Sequence, residues 1–369
     1  MESNLQDAVT HQYRSQGTEI SPPLERREQT MATLLGVWIV VGLFLDGWAH
    51  ENQKPESFFT VWHGVLYSGF TAATAYAAYQ VMKRREPAKS WREAIPDGHG
   101  LTLAALATFG AAAVGDFVWH EVFGIELGVE ALLSPTHLML MTSAMVALSA
   151  PVRAAWVHGQ DVPKFREFMP VALSMALVTS LLMFFLVYLS PFSIDAAGSA
   201  FDRVPGQIGE HPSQDLGELQ QLLGVASILM TSVVMAIATA ALLRRWKTPP
   251  GTFTLLYGFV VLLLVGISEF AQPAVLIAGF AAGAVADFLS QHRHTPALVA
   301  ASSAAVLWLG YFAFYALHEG STAWSAELWV GSVFLGSLLA GLVGLLVTPL
   351  PRSRDLVGLA DSTGRLAHD

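Results

Sequence analysis

Asp46, His50 and His63 follow the spacing D-x3-H-x12-H, and most of the pattern returns seventy positions on, at Asp116, His120 and His137. In both copies the Asp and first His stand four apart at the end of an apolar run, and the second His lies just inside the next one. Residues four apart share a helix face, with Cβ atoms about 5–6 Å from each other, so each Asp–His pair points one way. A carboxylate with two imidazoles and a free coordination position suits copper, zinc or non-haem iron. Magnesium and calcium, which prefer all-oxygen shells, are disfavoured. An Asp within a membrane costs about 2.5–3.5 kcal/mol on insertion scales, and a bound divalent cation would offset that cost.

The elements that must bring these side chains together are membrane helices. Of the 369 residues, 53% are hydrophobic and 13% charged, against about 25% charged in a water-soluble chain. The expected fold is an all-α integral membrane protein. Ten apolar runs approach the ~20 residues that a span needs: 31–50, 57–82, 99–120, 133–157, 168–191, 218–243, 252–269, 271–290, 296–317 and 326–349. They read as repeated helix hairpins, with repeat one at 31–82 and repeat two at 99–157 inside a transmembrane domain of 31–350. Only Gln272 and Pro273 separate the seventh and eighth runs, which makes them a tight hairpin or one broken helix. Residues 1–30 and 351–369 read as cytosolic tails, the first disordered.

Lys and Arg set the orientation. Lys83, Arg84, Arg85, Lys89 and Arg92 follow the second run, Arg153, Lys164 and Arg166 the fourth, and Arg244, Arg245 and Lys247 the sixth. Arg293 follows the eighth run and Arg352 and Arg354 the tenth, while the alternate loops are acidic. Both termini are therefore expected in the cytosol of a multi-pass cell-membrane protein, and both Asp/His sets at the outer face. Within each hairpin the return helix must carry the second His alongside its Asp. The first copy puts His63 about two turns inside its run. In the second, Ser134 and Pro135 read as N-cap and first helical residue, so His137 falls on the first turn, facing His120.

The pattern D-x3-H-x12-H on a membrane hairpin resembles the copper site in the C subunit of the copper membrane monooxygenases, which act on methane and ammonia. The resemblance implies copper as cofactor, with Asp46, His50 and His63 as its ligands. Asp116 and His120 match likewise, with a longer D-x3-H-x16-H spacing to His137. The expected function is metal binding linked to copper-dependent oxidation or copper handling. The alternative is a proton- or ion-coupled transporter using Asp46 and Asp116, with Asp287 as its inner group. A b-type haem held by His pairs would leave the aspartates unexplained.

Other residues read more plainly. Glu51, Glu121 and Glu130 are expected as solvated loop carboxylates, and His292, His294 and His99 as solvated. His318 resembles a decayed third copy, with Phe314 in place of the Asp and Gly331 in place of the second His. Glu269 falls near the same face, and loop 192–217 reads as a lid or binding loop. Met141 and Met145 follow His137 at helical spacing and read as core. The expected partners are the bilayer and a metal ion, with partner subunits or a homo-oligomer allowed and no nucleic acid. The absence of cysteine excludes disulfides, thiolate metal sites and covalent c-type haem.

Overall fold

The computed structural model describes residues 21–52, 60–88, 90–124, 128–158, 164–193, 197, 212–318, 320 and 322–347. Residues 1–20 and 348–369, most of loop 192–217, and Glu319 lie outside them. The regular structure is helical: α1 Arg26–Glu51, α2 Val61–Lys83, α3 Gly100–Phe123, α4 Val129–Leu133, α5 Pro135–Leu148, α6 Ala150–His158, α7 Phe165–Phe185, α8 Pro212–Arg245, α9 Thr252–Ile267, α10 Val275–Gln291, α11 Pro296–His318 and α12 Ala326–Val347. A helix stands at each of the ten expected runs. Among the described residues six helices are long and apolar enough to cross a membrane, and the bent pair α5 and α6 would make a seventh. Helix α2 has the length, but His63, Tyr67, Ser68, Thr71 and Thr74 lower its hydropathy. Helices α9 and α10, at 16 and 17 residues, reach about 25 Å, short of a ~30 Å hydrocarbon core.

Several boundaries differ from expectation for local reasons. Helix α1 starts at Arg26, inside the segment expected as tail, because Glu25 and Glu28 form a capping box at its first turn. The fourth run is bent by 43° between α5 and α6. Pro151 causes this: it has no N–H to give and its ring crowds the carbonyl four residues back. The carbonyls near the break find side-chain donors, Val146 O from Ser149 and Arg153 and Leu148 O from Ser174 Oγ at 2.5 Å. Helices α9 and α10 form a tight hairpin, its turn made by Glu269 and Phe270 at positive φ.

Helix α7 sits in the middle, with 78% of its apolar window buried. On one side it meets α1, α5 and α6, and on the other α8 and α9. Helices α8 to α12 pack as the second half of the molecule. The hairpin α1–α2 is fastened at three levels. At the basic end the buried Glu28 carboxylate accepts from Lys83 Nζ at 2.8 Å and Arg84 Nη2 at 2.5 Å. One turn before Asp46, Gly42 lets the backbones touch, since a Cβ there would lie 2.7 Å from Leu66 Cα. At the far end stand Asp46 and His63. Eighteen residues of helix separate Glu28 from Asp46, about 27 Å, so the ion pair and the Asp/His set mark opposite ends of one hairpin.

Candidate metal centre

Each Asp/His set is built by the same local devices. On α1, Asp46 and His50 sit one turn apart on one face, and on α3 so do Asp116 and His120. The return helices begin with a hydroxyl cap: Thr60 Oγ1 accepts from His63 N at 3.2 Å, and Ser134 Oγ from His137 N at 3.3 Å. Both second histidines are therefore the third residue of their helix. The expected depth of two turns for His63 is corrected to one, because the helix starts at Val61. The different spacings, x12 and x16, are absorbed before the cap, where the second hairpin carries α4.

Asp46 Oδ2 lies 3.7 Å from His50 Nε2 and 3.4 Å from His63 Nε2. Asp116 Oδ2 lies 3.6 Å from His120 Nε2, and its Oδ1 3.3 Å from His137 Nε2. In each set, one ligand atom from every residue lies within 4.8 Å of the others, so both sets could hold a metal ion. The four Nε2–O gaps exceed the 2.7–3.2 Å of a normal N–H···O bond. Ligands about 2.0–2.2 Å from a tetrahedral ion would be separated by about 3.3–3.6 Å. Three of the four gaps lie in or next to that range, so the sets have room for a cation between their ligand atoms.

Two of the far ring nitrogens have defined partners. His120 Nδ1 donates to Gly124 O at 3.2 Å, which leaves its Nε2 lone pair for the Asp side. His63 Nδ1 lies 3.0 Å from Thr60 Oγ1. Thr136 Oγ1 donates to Asp116 Oδ1 at 2.8 Å. The second set is the more enclosed: Asp116 is 1% exposed and Asp46 8%, and the His120 side chain is 11% exposed against 36% for His50.

The two sets face one space. A cavity of about 60 Å³ is lined by Asp46 and His63 from the first, Asp116 and His137 from the second, and Tyr67 and Met141. Tyr67 stacks on His63 at 6.1 Å between centroids and lies in electrostatic reach of both carboxylates. Thr60, Tyr67 and Thr136 were missed in sequence reasoning. The signals were present: Tyr67 is one turn from His63, and both return helices share [ST]-x-x-H.

The remaining candidates fall outside these sets. Glu51, Glu121 and Glu130 are exposed. Glu269 accepts from Trp48 Nε1 at 3.1 Å, tying the α9–α10 turn to α1. His318 stacks on Phe314, and Gly331 faces open space. His292 and His294 are exposed, as expected. His99 is corrected: it is buried, with Nδ1 3.1 Å from Asp97 O. Asp287 accepts from Phe253 N at 3.0 Å, Thr254 N at 2.9 Å and Thr254 Oγ1 at 2.7 Å. It caps α9 and is fully engaged there.

Comparison of the chain with protein-family models, curated proteins and solved structures finds no match.

Proposed function

We propose that this multi-pass membrane protein binds two metal ions, one at Asp46, His50 and His63 and one at Asp116, His120 and His137, and that the metal is copper. The observation that carries the reading is the pair of Asp/His/His sets, each with one ligand atom from every residue within 4.8 Å of the others. Three protein ligands leave a fourth position open, and copper bound so would supply redox or ligand-exchange chemistry there. The chain's own residues supply one carboxylate and two imidazoles per ion, and Gly124 O fixes His120 Nδ1 as a donor. The function is copper-dependent oxidation or copper handling at the outer face of the cell membrane, with both termini in the cytosol. The two hairpins are read as copies of one ancestral unit.

The transporter reading loses support at its inner end. Its inner group, Asp287, spends both carboxylate oxygens on the first turn of α9.

X-ray absorption on the purified protein tests the metal. A copper edge with imidazole scattering and a nitrogen/oxygen shell near 2.0 Å is expected. A zinc or iron edge with the same shell would replace copper and keep the sites. A sulfur shell would remove the ligand assignment, since the described sets contain no sulfur ligand.

A further inference from the structure

The cavity between the Asp/His sets has a neighbour along the same helices. A second cavity, of about 80 Å³, lies toward the basic end of the same helices. One face of α1 runs along both: Gln29, Thr33, Gly36 and Ile39 line the inner cavity, and Ile39, Leu43 and Asp46 the outer one. These positions follow the three- and four-residue spacing of a single helix stripe. Helices α2, α3 and α5 contribute to both cavities in the same way, and α7 closes the side with Leu177 and Leu181. The void exists because small residues, Ala32, Gly36, Ala73, Ala77 and Ala147, face the axis of the inner part.

Two residues, Ile39 and Leu148, line both cavities and so form the partition between them. Leu148 is the last residue of α5, at the bend set by Pro151. Its Cδ2 lies so near Gly36 that a Cβ there would come within 2.7 Å of it.

The chemistry of the walls says what fits. Six polar side chains line the inner cavity, and each is already bonded. Gln29 donates to Leu24 O, Thr33 to Gln29 O and Tyr76 to Glu28 O. Gln80 and Thr102 accept from Arg84 and Arg153, and His99 binds Asp97 O. A charged occupant would lose its hydration there, and no carboxylate, Lys or Arg is among the lining residues to offset that loss. A small apolar one would lose nothing, as in apolar cavities that stay dry and take xenon or benzene.

We infer that α1, α2, α3 and α5 enclose a passage for a small, uncharged, apolar molecule, running from the basic end to the space between the two Asp/His sets, with Ile39 and Leu148 as its gate. The passage stands without any metal; only the meaning of its destination rests on the proposed function. Along this seam the protein admits a neutral reactant and excludes ions.

Structure determination under xenon pressure tests it, with benzene as a larger probe and metal content measured on the same preparations. Wild type takes xenon in both cavities. Leu148→Ala joins them and binds benzene at least tenfold more tightly than wild type, while Ile39→Phe or Leu148→Trp removes xenon at the partition. Wild type without xenon overturns the passage, as does a folded Leu148→Ala with no gain in benzene affinity. Xenon in a preparation that binds no metal upholds the passage and removes the metal reading. Metal without xenon does the reverse.

Discussion

A carboxylate enclosed as fully as Asp116 depends on what stands beside it, and Thr136 is the one hydroxyl donating to it among the described residues. Groups that orient a ligand without touching the ion typically cost ten- to a hundredfold in metal affinity when removed. Thr136→Val is therefore expected to weaken metal at the second set by roughly tenfold and leave the first unchanged. A chelator competition titration reads this, and equal affinities in variant and wild type would show that Asp116 needs no such support. Much of this scale was legible in the sequence. The i, i+4 pairs Asp46–His50 and Asp116–His120 follow from helix geometry alone, and a hairpin must bring the next His back. The spacing of Tyr67 and Thr136 from the histidines was visible, but their roles depend on which face of the return helix meets the carboxylates, and hydropathy does not encode that.

The elements place those residues through close contacts and caps. Gly42 sits against the Leu66 backbone one turn from Asp46. Gly42→Val would wedge α1 from α2, at a cost of about 1–3 kcal/mol. The expected result is a lower thermal midpoint with metal lost from the first set and kept by the second. Loss from both sets together would mean that the hairpins do not act separately. Asp287→Ala removes three hydrogen bonds from the start of α9, a loss of about 1–3 kcal/mol of stability. Its thermal midpoint should fall while metal content stays at the wild-type level. An unchanged midpoint would contradict the capping role and revive Asp287 as a carrier group. The ten apolar runs marked every long helix. The bend in the fourth was signalled by Pro151, yet apolar length alone reads straight through it. The first-turn position of His63 was hidden because Thr60, unlike Ser134, has no following proline to announce a cap.

At the scale of the whole molecule, basic residues gather at one end of the helices and both Asp/His sets at the other. The account places the basic end in the cytosol, so a reporter fused after Asp369 should read as cytosolic; an external signal would move the metal sets to the inner face. The alternation of charge is the basis for expecting this orientation, whereas nothing in the sequence marked the central place of α7, since a uniformly apolar helix carries no mark of which neighbours cover it. The claim that joins all three scales is that two like hairpins each hold one ion. Metal content per chain tests it most directly, measured on wild type, His50→Ala and His120→Ala purified alike. The account predicts two ions in wild type and one in each variant. Wild-type metal content in both variants, or no bound metal at all, would contradict it.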